Sequence, residues 1–167
     1  MYKPGDQVVY GNHGVCTVAQ LQEVTVDKAR IVYLVLTPVS QDGSRYMIPV
    51  NCESAMAKLS PLLTPEQLDQ LLHSPEVRKD GWISAVNLRK ETYRMILSSS
   101  DRAAVLRMLV ALRRHREQRL AEGKRMHQSD ENFLREAEKR IIGEISVILN
   151  MDPEQARNYL WENLRPV

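Results

Sequence analysis

A tryptophan, Trp82, stands near the start of the most basic stretch of this chain. Residues 78–125 hold 13 Lys and Arg residues against five Asp and Glu residues, a local net charge of +8 in a chain whose total is +2. Cations bind a phosphate backbone, and a large apolar ring can wedge into a base step. The stretch is therefore compatible with DNA binding. The alternative is that Trp82 packs beneath the helix that follows it, and the residues alone favour that alternative.

Two further arginines of this stretch, Arg113 and Arg116, fall on one side of a predicted helix. Contacts from such side chains to phosphates add salt dependence rather than sequence readout. A solvated helix face is the alternative, because long surface helices also collect Lys and Arg.

Residue patterns typical of catalysis are not evident in the chain. The Gly-rich segment 11–14 lacks the Lys and the following helix of a phosphate loop, so it is interpreted as a tight turn. His13 has no nearby nucleophile or acid, and the serines 98–100 before Asp101 are better explained as a helix break and a cap. The four histidines do not pair with Cys or Glu at metal-ligand spacing. We therefore expect neither an enzyme nor a cofactor nor a metal site.

Composition places the chain among soluble globular proteins. It has 167 residues, of which 43% are hydrophobic and 26% charged, enough for one domain or two small ones. No apolar run approaches the roughly 18 residues that a membrane span needs, and the N-terminus lacks the apolar core of a signal peptide. We expect a cytoplasmic protein with no membrane partner, in which Cys16 and Cys52 are free thiols.

Residues 1–63 are predicted to form a small twisted β-barrel. Turn residues separate short runs of β-branched and aromatic residues. Asp27-Lys28 and the segment 41–44, with Asp-Gly at its centre, are hairpin signals. Pro49 cannot donate to a ladder, so its strand should lie at an edge or end there. The predicted strands are 7–10, 15–24, 31–36 and 45–50.

From residue 64 onward, apolar residues recur with the spacing that is typical of helices. Thr64, with Pro65 and Gln67 after it, predicts a capped helix start, and Asp101 opens a long helix that ends near Ala121. The predicted fold class is α+β, with a β domain at 1–63 followed by an all-α bundle of about five helices at 64–167.

The strand at 46–50 also has a possible surface role. If Tyr46, Ile48 and Val50 face a core, Met47 points outward. An outward Met on an edge strand is a good surface for another protein's strand, because Met adapts and the edge offers unpaired backbone groups. The residues alone leave this role open.

The segment 6–18 (DQVVYGNHGVCTV), together with 33–36 and 47–50, resembles the N-terminal domain of the CarD/CdnL transcription regulators, a module also found in the bacterial transcription-repair coupling factor. The rest of the chain is similar to their helical C-terminal domain. Trp82 lies after the first helix, and the LSSSD segment at 97–101 precedes an Arg-rich helix, as in that family. The resemblance extends over essentially the whole chain.

The resemblance implies a Tudor-like β domain that binds the β subunit of bacterial RNA polymerase by adding its edge strand to the partner's sheet. Met47 and Pro49 match residues that face the polymerase in some members, whereas other members have arginine at that strand position. The polymerase-binding residues implied in this chain are Tyr46, Met47, Ile48 and Pro49.

The resemblance further implies that Trp82 is a wedge that enters the minor groove at the upstream edge of the melted promoter. Arg89 is the nearest match to the family's basic residue after that tryptophan, at a longer spacing. The chain departs from the family at 129–132, where it reads SDEN and many members have Gly-Glu-Lys. With the cations of the same stretch, the candidate DNA contacts are Trp82, Arg89, Lys90, Arg94, Arg113 and Arg116.

These observations predict a non-enzymatic transcription regulator that binds RNA polymerase and stabilises the open promoter complex. The modest net charge indicates weak DNA binding, mostly to the backbone and minor groove. We expect a monomer, with exchange of the β domain between chains left open. Two alternatives remain: an adaptor on the polymerase without a direct DNA role, and a free nucleic-acid-binding protein.

Overall fold

The computed structural model describes residues 1–40 and 42–164. The chain divides into two compact units, Met1–Leu62 and Leu63–Val167. The first unit contains the strands and the second contains the long helices, so the class is α+β as predicted.

The first unit is built on an antiparallel sheet in the order β4-β3-β2-β1-β5. A four-residue helix, α1 (Glu53–Met56), lies between β4 and β5. The strands are β1 (Gln7–Tyr10), β2 (Val15–Val26), β3 (Ala29–Pro38), β4 (Tyr46–Pro49) and β5 (Leu59–Pro61).

The longest pairing, between β2 and β3, is closed by the predicted Asp27-Lys28 turn. Both residues have positive φ, at 49° and 67°, which is the geometry that matches the twist of a two-residue hairpin. The hairpin prediction is therefore confirmed. Of the predicted turn at 41–44, Gln41 lies outside the described residues, whereas Gly43 has a φ of 84° and the Ser44 N–H donates to Asp42 Oδ1.

One face of the sheet carries the core of the first unit. Alternate residues of the strands point to this face, because side chains alternate along a strand. Tyr46 and Val50 pack against the core at its margin, so the prediction that they face inward with Ile48 is confirmed. The buried members are Val8, Cys16, Val18, Leu34, Leu36, Ile48 and Leu59.

The sheet is not closed, so the barrel part of the prediction is not confirmed. β4 pairs with β3 at one edge, and β5 pairs with β1 at the opposite edge. β5 has only three residues and ends at Pro61, which cannot donate to a further ladder. Two short edge strands that each end in proline leave the sheet open within the described residues.

The second unit is a bundle of helices. Thr64 forms the predicted capping box with Gln67, and Asp101 caps α4 by accepting a hydrogen bond from the Ala104 N–H. A short 3-10 helix, Pro75–Arg78, and a loop over 79–85 connect the first two helices of this unit. The α-helices are α2 (Pro65–Leu72), α3 (Val86–Ser98), α4 (Arg102–Ala121), α5 (Gln128–Leu149) and α6 (Pro153–Leu164).

α4 lies at the centre of the bundle core. One face of this helix is apolar and buried, and it packs with apolar residues of the other helices. In contrast, Leu120 in the last turn of the same helix is 60% exposed. The buried residues of α4 include Val105, Met108, Leu109 and Leu112.

This difference along α4 generates a stability prediction. Leu109→Ala should lower the free energy of unfolding by about 2 to 5 kcal/mol, because it removes buried methyl groups and leaves a cavity. Leu120→Ala, the matched control on the same helix, should change the free energy by about 0.5 kcal/mol or less. Urea unfolding followed by far-ultraviolet circular dichroism measures both, and equal midpoints would contradict the burial of Leu109.

Candidate functional site

The outer edge of β4 is open to pairing with another strand. Just after β4, the Val50 N–H donates to the carbonyl of Val32 in β3, at 3.0 Å. Since bonding groups alternate along an antiparallel strand, the N–H and C=O of Met47 point away from β3. Pro49 occupies the next outward position, where it has no N–H to leave unpaired. The prediction that Pro49 lies on an edge strand that ends there is confirmed.

The four polymerase-binding candidates divide between the two faces of β4. The Met47 side chain is 48% exposed. Ile48, in contrast, is 2% exposed and belongs to the core, so its side chain is not presented to a partner. Tyr46 packs its ring edge against Tyr10, with ring centroids 5.3 Å apart. The outward side chains are therefore those of Met47 and Pro49, and Ile48 and Tyr46 are core residues instead.

Two residues of β3 lie on the same face of the sheet as Met47 and Pro49, which is the face opposite the core. In the β3–β4 register, Val35 is opposite Met47 and Tyr33 is opposite Pro49. Directly opposite residues point to the same face. Val35 is buried and Tyr33 is half-buried beside the exposed methionine. The residues alone did not identify this pair, although the alternation along β3 carried the signal.

In the second unit, Trp82 lies on the loop over 79–85, and this loop is held at several points. The Tyr93 hydroxyl donates to the Gly81 carbonyl at 2.9 Å. Burial raises the pKa of Tyr93 to about 12, so the hydroxyl stays protonated as a donor. A Cβ on Gly81 would stand 3.0 Å from Arg107 Cγ, so the loop approaches α4 where only glycine fits without displacement.

Side chains from two helices hold the Trp82 indole. The His115 imidazole of α4 stacks on it, with ring centroids 3.8 Å apart and planes 19° from parallel. The Arg89 guanidinium of α3 lies over the ring, 4.4 Å from its centroid, in cation–π geometry. Burial lowers the pKa of His115, and the nearby Arg89 acts in the same direction whereas Asp130 opposes it. These effects together favour the uncharged imidazole.

Arg89 itself is an internal residue, contrary to the expectation that it contacts DNA. Its side chain is 2% exposed and forms a two-pronged salt bridge with Asp130 of α5, with both N–O distances 3.0 Å. It also donates to the Ile83 carbonyl of the Trp82 loop at 2.9 Å. Asp130 belongs to the segment at 129–132, which the sequence marked as a departure from the family pattern. Arg89 therefore holds the Trp82 loop in place and is not exposed to contact DNA.

Other cations of the basic stretch are also paired within the unit. Arg113 lies over the Trp161 ring of α6 at 3.8 Å, and Arg116 is 3.9 Å from Glu131. Both remain partly exposed, whereas Lys90 is half-buried and Arg94 is exposed. The acids that pair with this stretch from outside it are Glu76, Asp130, Glu131 and Glu144.

The local net charge of +8 therefore overstates the positive surface of the helical unit. Arg102 pairs with Glu144 of α5, whose carboxyl has its pKa raised by burial and lowered in part by this arginine. Arg94 and Arg114 are exposed and form no ion pair within residues 1–40 and 42–164. The cations available to an anionic partner are fewer than the count implies.

The Arg89–Asp130 pair generates a prediction about stability. Arg89→Met should lower the free energy of unfolding by about 3 to 5 kcal/mol, since the Asp130 carboxylate stays buried without its partner. Arg94→Met on the exposed side of the same helix should change it by about 0.5 kcal/mol or less. Urea unfolding is the measurement.

The double variant Arg89→Met/Asp130→Leu should recover most of the loss, because no unpaired buried charge remains. If Arg89→Met unfolds at the same urea concentration as Arg94→Met, the buried pair does not form in solution.

Metal ligands and membrane spans are not evident in the described part of the chain. Over residues 1–40 and 42–164, no group of three His, Cys, Asp or Glu side chains could hold a metal ion. None of the helices described there is long and apolar enough to cross a membrane.

Comparison with known families gives a match for the N-terminal unit. Residues 2–60 match the family model of the CarD-like/TRCF RID domain. These residues include all five strands except the last residue of β5. No curated protein matches the chain. The match supports a transcription-related role with RNA polymerase as a partner. The N-terminal unit is therefore similar to the CarD-like/TRCF RID domain over residues 2–60, which is consistent with a member of that family.

Proposed function

We propose that this protein is a non-enzymatic, cytoplasmic transcription regulator that binds the β subunit of RNA polymerase and stabilises the open promoter complex. The family match over residues 2–60 is the observation that carries the proposal. The first unit is an open five-stranded antiparallel sheet, so the expected Tudor-like barrel is not confirmed.

Strand addition at β4 is the mode of polymerase binding that the first unit supports. The outward backbone groups of Met47 are a template for a partner strand. The exposed Met47 side chain provides an adaptable apolar contact beside them. Pro49 limits the length of the pairing, because it cannot donate to the added strand. A partner segment of a few extended residues with apolar side chains fits this edge.

Met47→Glu should weaken binding to purified RNA polymerase about tenfold or more, because a carboxylate would be desolvated in an apolar contact. The fold should not change, since the side chain is exposed. Val26→Glu is the matched control, because Val26 is a similarly exposed residue of the same unit that lies outside β4. Equal affinities of the two variants would exclude β4 as the binding edge.

Trp82 and exposed cations of the second unit support its proposed DNA role. Trp82 is half-buried on a loop that is held in place, and Arg94 and Arg114 are exposed cations of the same unit. A ring at the upstream fork makes reclosure of the melted DNA costlier, and cations retain the backbone. Binding to the polymerase supplies a high effective concentration, so weak DNA affinity is sufficient.

Trp82→Ala should shorten the lifetime of the open complex while polymerase binding is unchanged. A base contact of about 1 to 3 kcal/mol corresponds to roughly 5- to 150-fold in the opening equilibrium. The lifetime is measured on a promoter with purified bacterial RNA polymerase, at two salt concentrations. Leu120→Ala, an exposed apolar residue of α4, is the control. Identical lifetimes for Trp82→Ala and the unmodified chain would exclude the wedge.

An adaptor on the polymerase without a direct DNA role is the second candidate function. It is favoured by the internal pairing of Arg89, Arg113 and Arg116 and by the stacking of Trp82 on His115. The Trp82→Ala comparison distinguishes the two, because an adaptor retains its full effect after that substitution.

A further inference from the structure

His115 is placed to control the orientation of Trp82. The two rings come from different elements, since His115 belongs to α4 and Trp82 to the loop over 79–85. Their planes are 19° from parallel at a centroid distance of 3.8 Å, which is a stacked rather than an edge contact. A stacked aromatic neighbour favours a near-parallel orientation of the indole plane, because aromatic pairs have preferred geometries that an aliphatic side chain does not impose.

Hydrogen bonds hold the backbone around Trp82, whereas its ring packs against the apolar core of the helical unit as well as against His115 and Arg89. The Trp82 N–H donates to Asp80 Oδ1 at 3.0 Å, and Arg89 joins the following Ile83 carbonyl to α5 through Asp130. These bonds fix the backbone position of Trp82. The orientation of the ring depends on the Arg89 guanidinium over it and on the His115 stack.

His115 is unsuited to bind a phosphate as a cation at neutral pH. Burial lowers its pKa, and Arg89 and Arg119 nearby lower it further, while Asp130 opposes them. A neutral imidazole adds no counterion release to DNA binding. The stacked geometry therefore points to a contribution through the Trp82 ring rather than through charge.

We propose that His115 is a positioning residue for Trp82, whose stacked imidazole holds the indole in the orientation with which it meets the promoter DNA. This rests on the proposed function of Trp82. Holding the ring before binding reduces the conformational entropy that is lost when the ring contacts a base. Removing the stack should therefore weaken promoter opening without removing any DNA-contacting group.

Open-complex lifetime with purified RNA polymerase tests the proposal. His115→Ala should shorten the lifetime several-fold, and His115→Phe, which keeps a flat ring, should restore it. Gln118→Ala, an exposed neutral residue of the same helix, is the matched control and should have no effect. Polymerase binding should be equal for all variants.

The Trp82→Ala background separates positioning from an independent role. In that background His115→Ala should shorten the lifetime no further, because the ring that it orients is absent. An equal additional loss would mean that His115 acts on its own and would overturn the proposal. If Trp82→Ala shortens the lifetime and His115→Ala does not, the positioning role fails and the proposed function stands. If neither does, both fail.

A direct measurement of ring motion covers the case in which a variant alters the fold. Trp161→Phe leaves Trp82 as the sole tryptophan, so time-resolved fluorescence anisotropy then reports on this indole alone. His115→Ala should increase its local motion, and His115→Phe should not. Far-ultraviolet circular dichroism confirms that each variant is folded. Unchanged motion in His115→Ala would overturn the proposal.

Discussion

The buried arginines of the helical unit determine how its helices are held together. Arg89 of α3 binds Asp130 of α5, and Arg140 of α5 donates to the Leu97 and Ser99 carbonyls at the end of α3. A planar guanidinium with several donors suits such joints, because it can satisfy a carboxylate and backbone carbonyls together. These bonds fix α3 against α5 at both of its ends, since Arg89 lies near the start of α3. The Trp82 loop, which precedes α3, takes its position from the same joints.

Local chemistry was sufficient to predict most of the elements. Thr64 and Asp101 begin helices because their side chains satisfy free backbone N–H groups of the first turn. Asp27 and Lys28 accept positive φ and close a hairpin, and Pro49 marks an edge strand because it lacks a donor. Each of these signals acts within a few residues along the chain. The inward alternation of Tyr46, Ile48 and Val50 follows from strand geometry in the same way.

Contacts between distant parts of the chain could not be predicted in this manner. A charge count over a window of sequence treats Arg89 as a surface cation, although its partner Asp130 lies on another helix. The stack of Trp82 on His115 could not be predicted either, because neither the spacing of apolar residues along α4 nor the composition of the loop indicates that the two rings meet. Closure of the sheet likewise depends on whether its edge strands can reach each other. The candidate site was therefore predicted in its residues at β4 and Trp82, and not in the supports around them.

A ring that acts as a DNA wedge must meet two opposing requirements: it must be able to reach a base, and it must be held in place before contact. A ring that is free to move reaches DNA easily, but it loses conformational entropy on contact, which weakens the contact. A ring that is fully packed in the core loses none, but it cannot reach a base. Trp82 meets both requirements in part, because it is half-buried while Arg89 and His115 hold its ring from within the unit. If Trp82 acts as the proposed wedge, the internal salt bridge of Arg89 serves DNA binding only indirectly, because the cation that was expected to contact DNA instead holds the residue that would contact the bases.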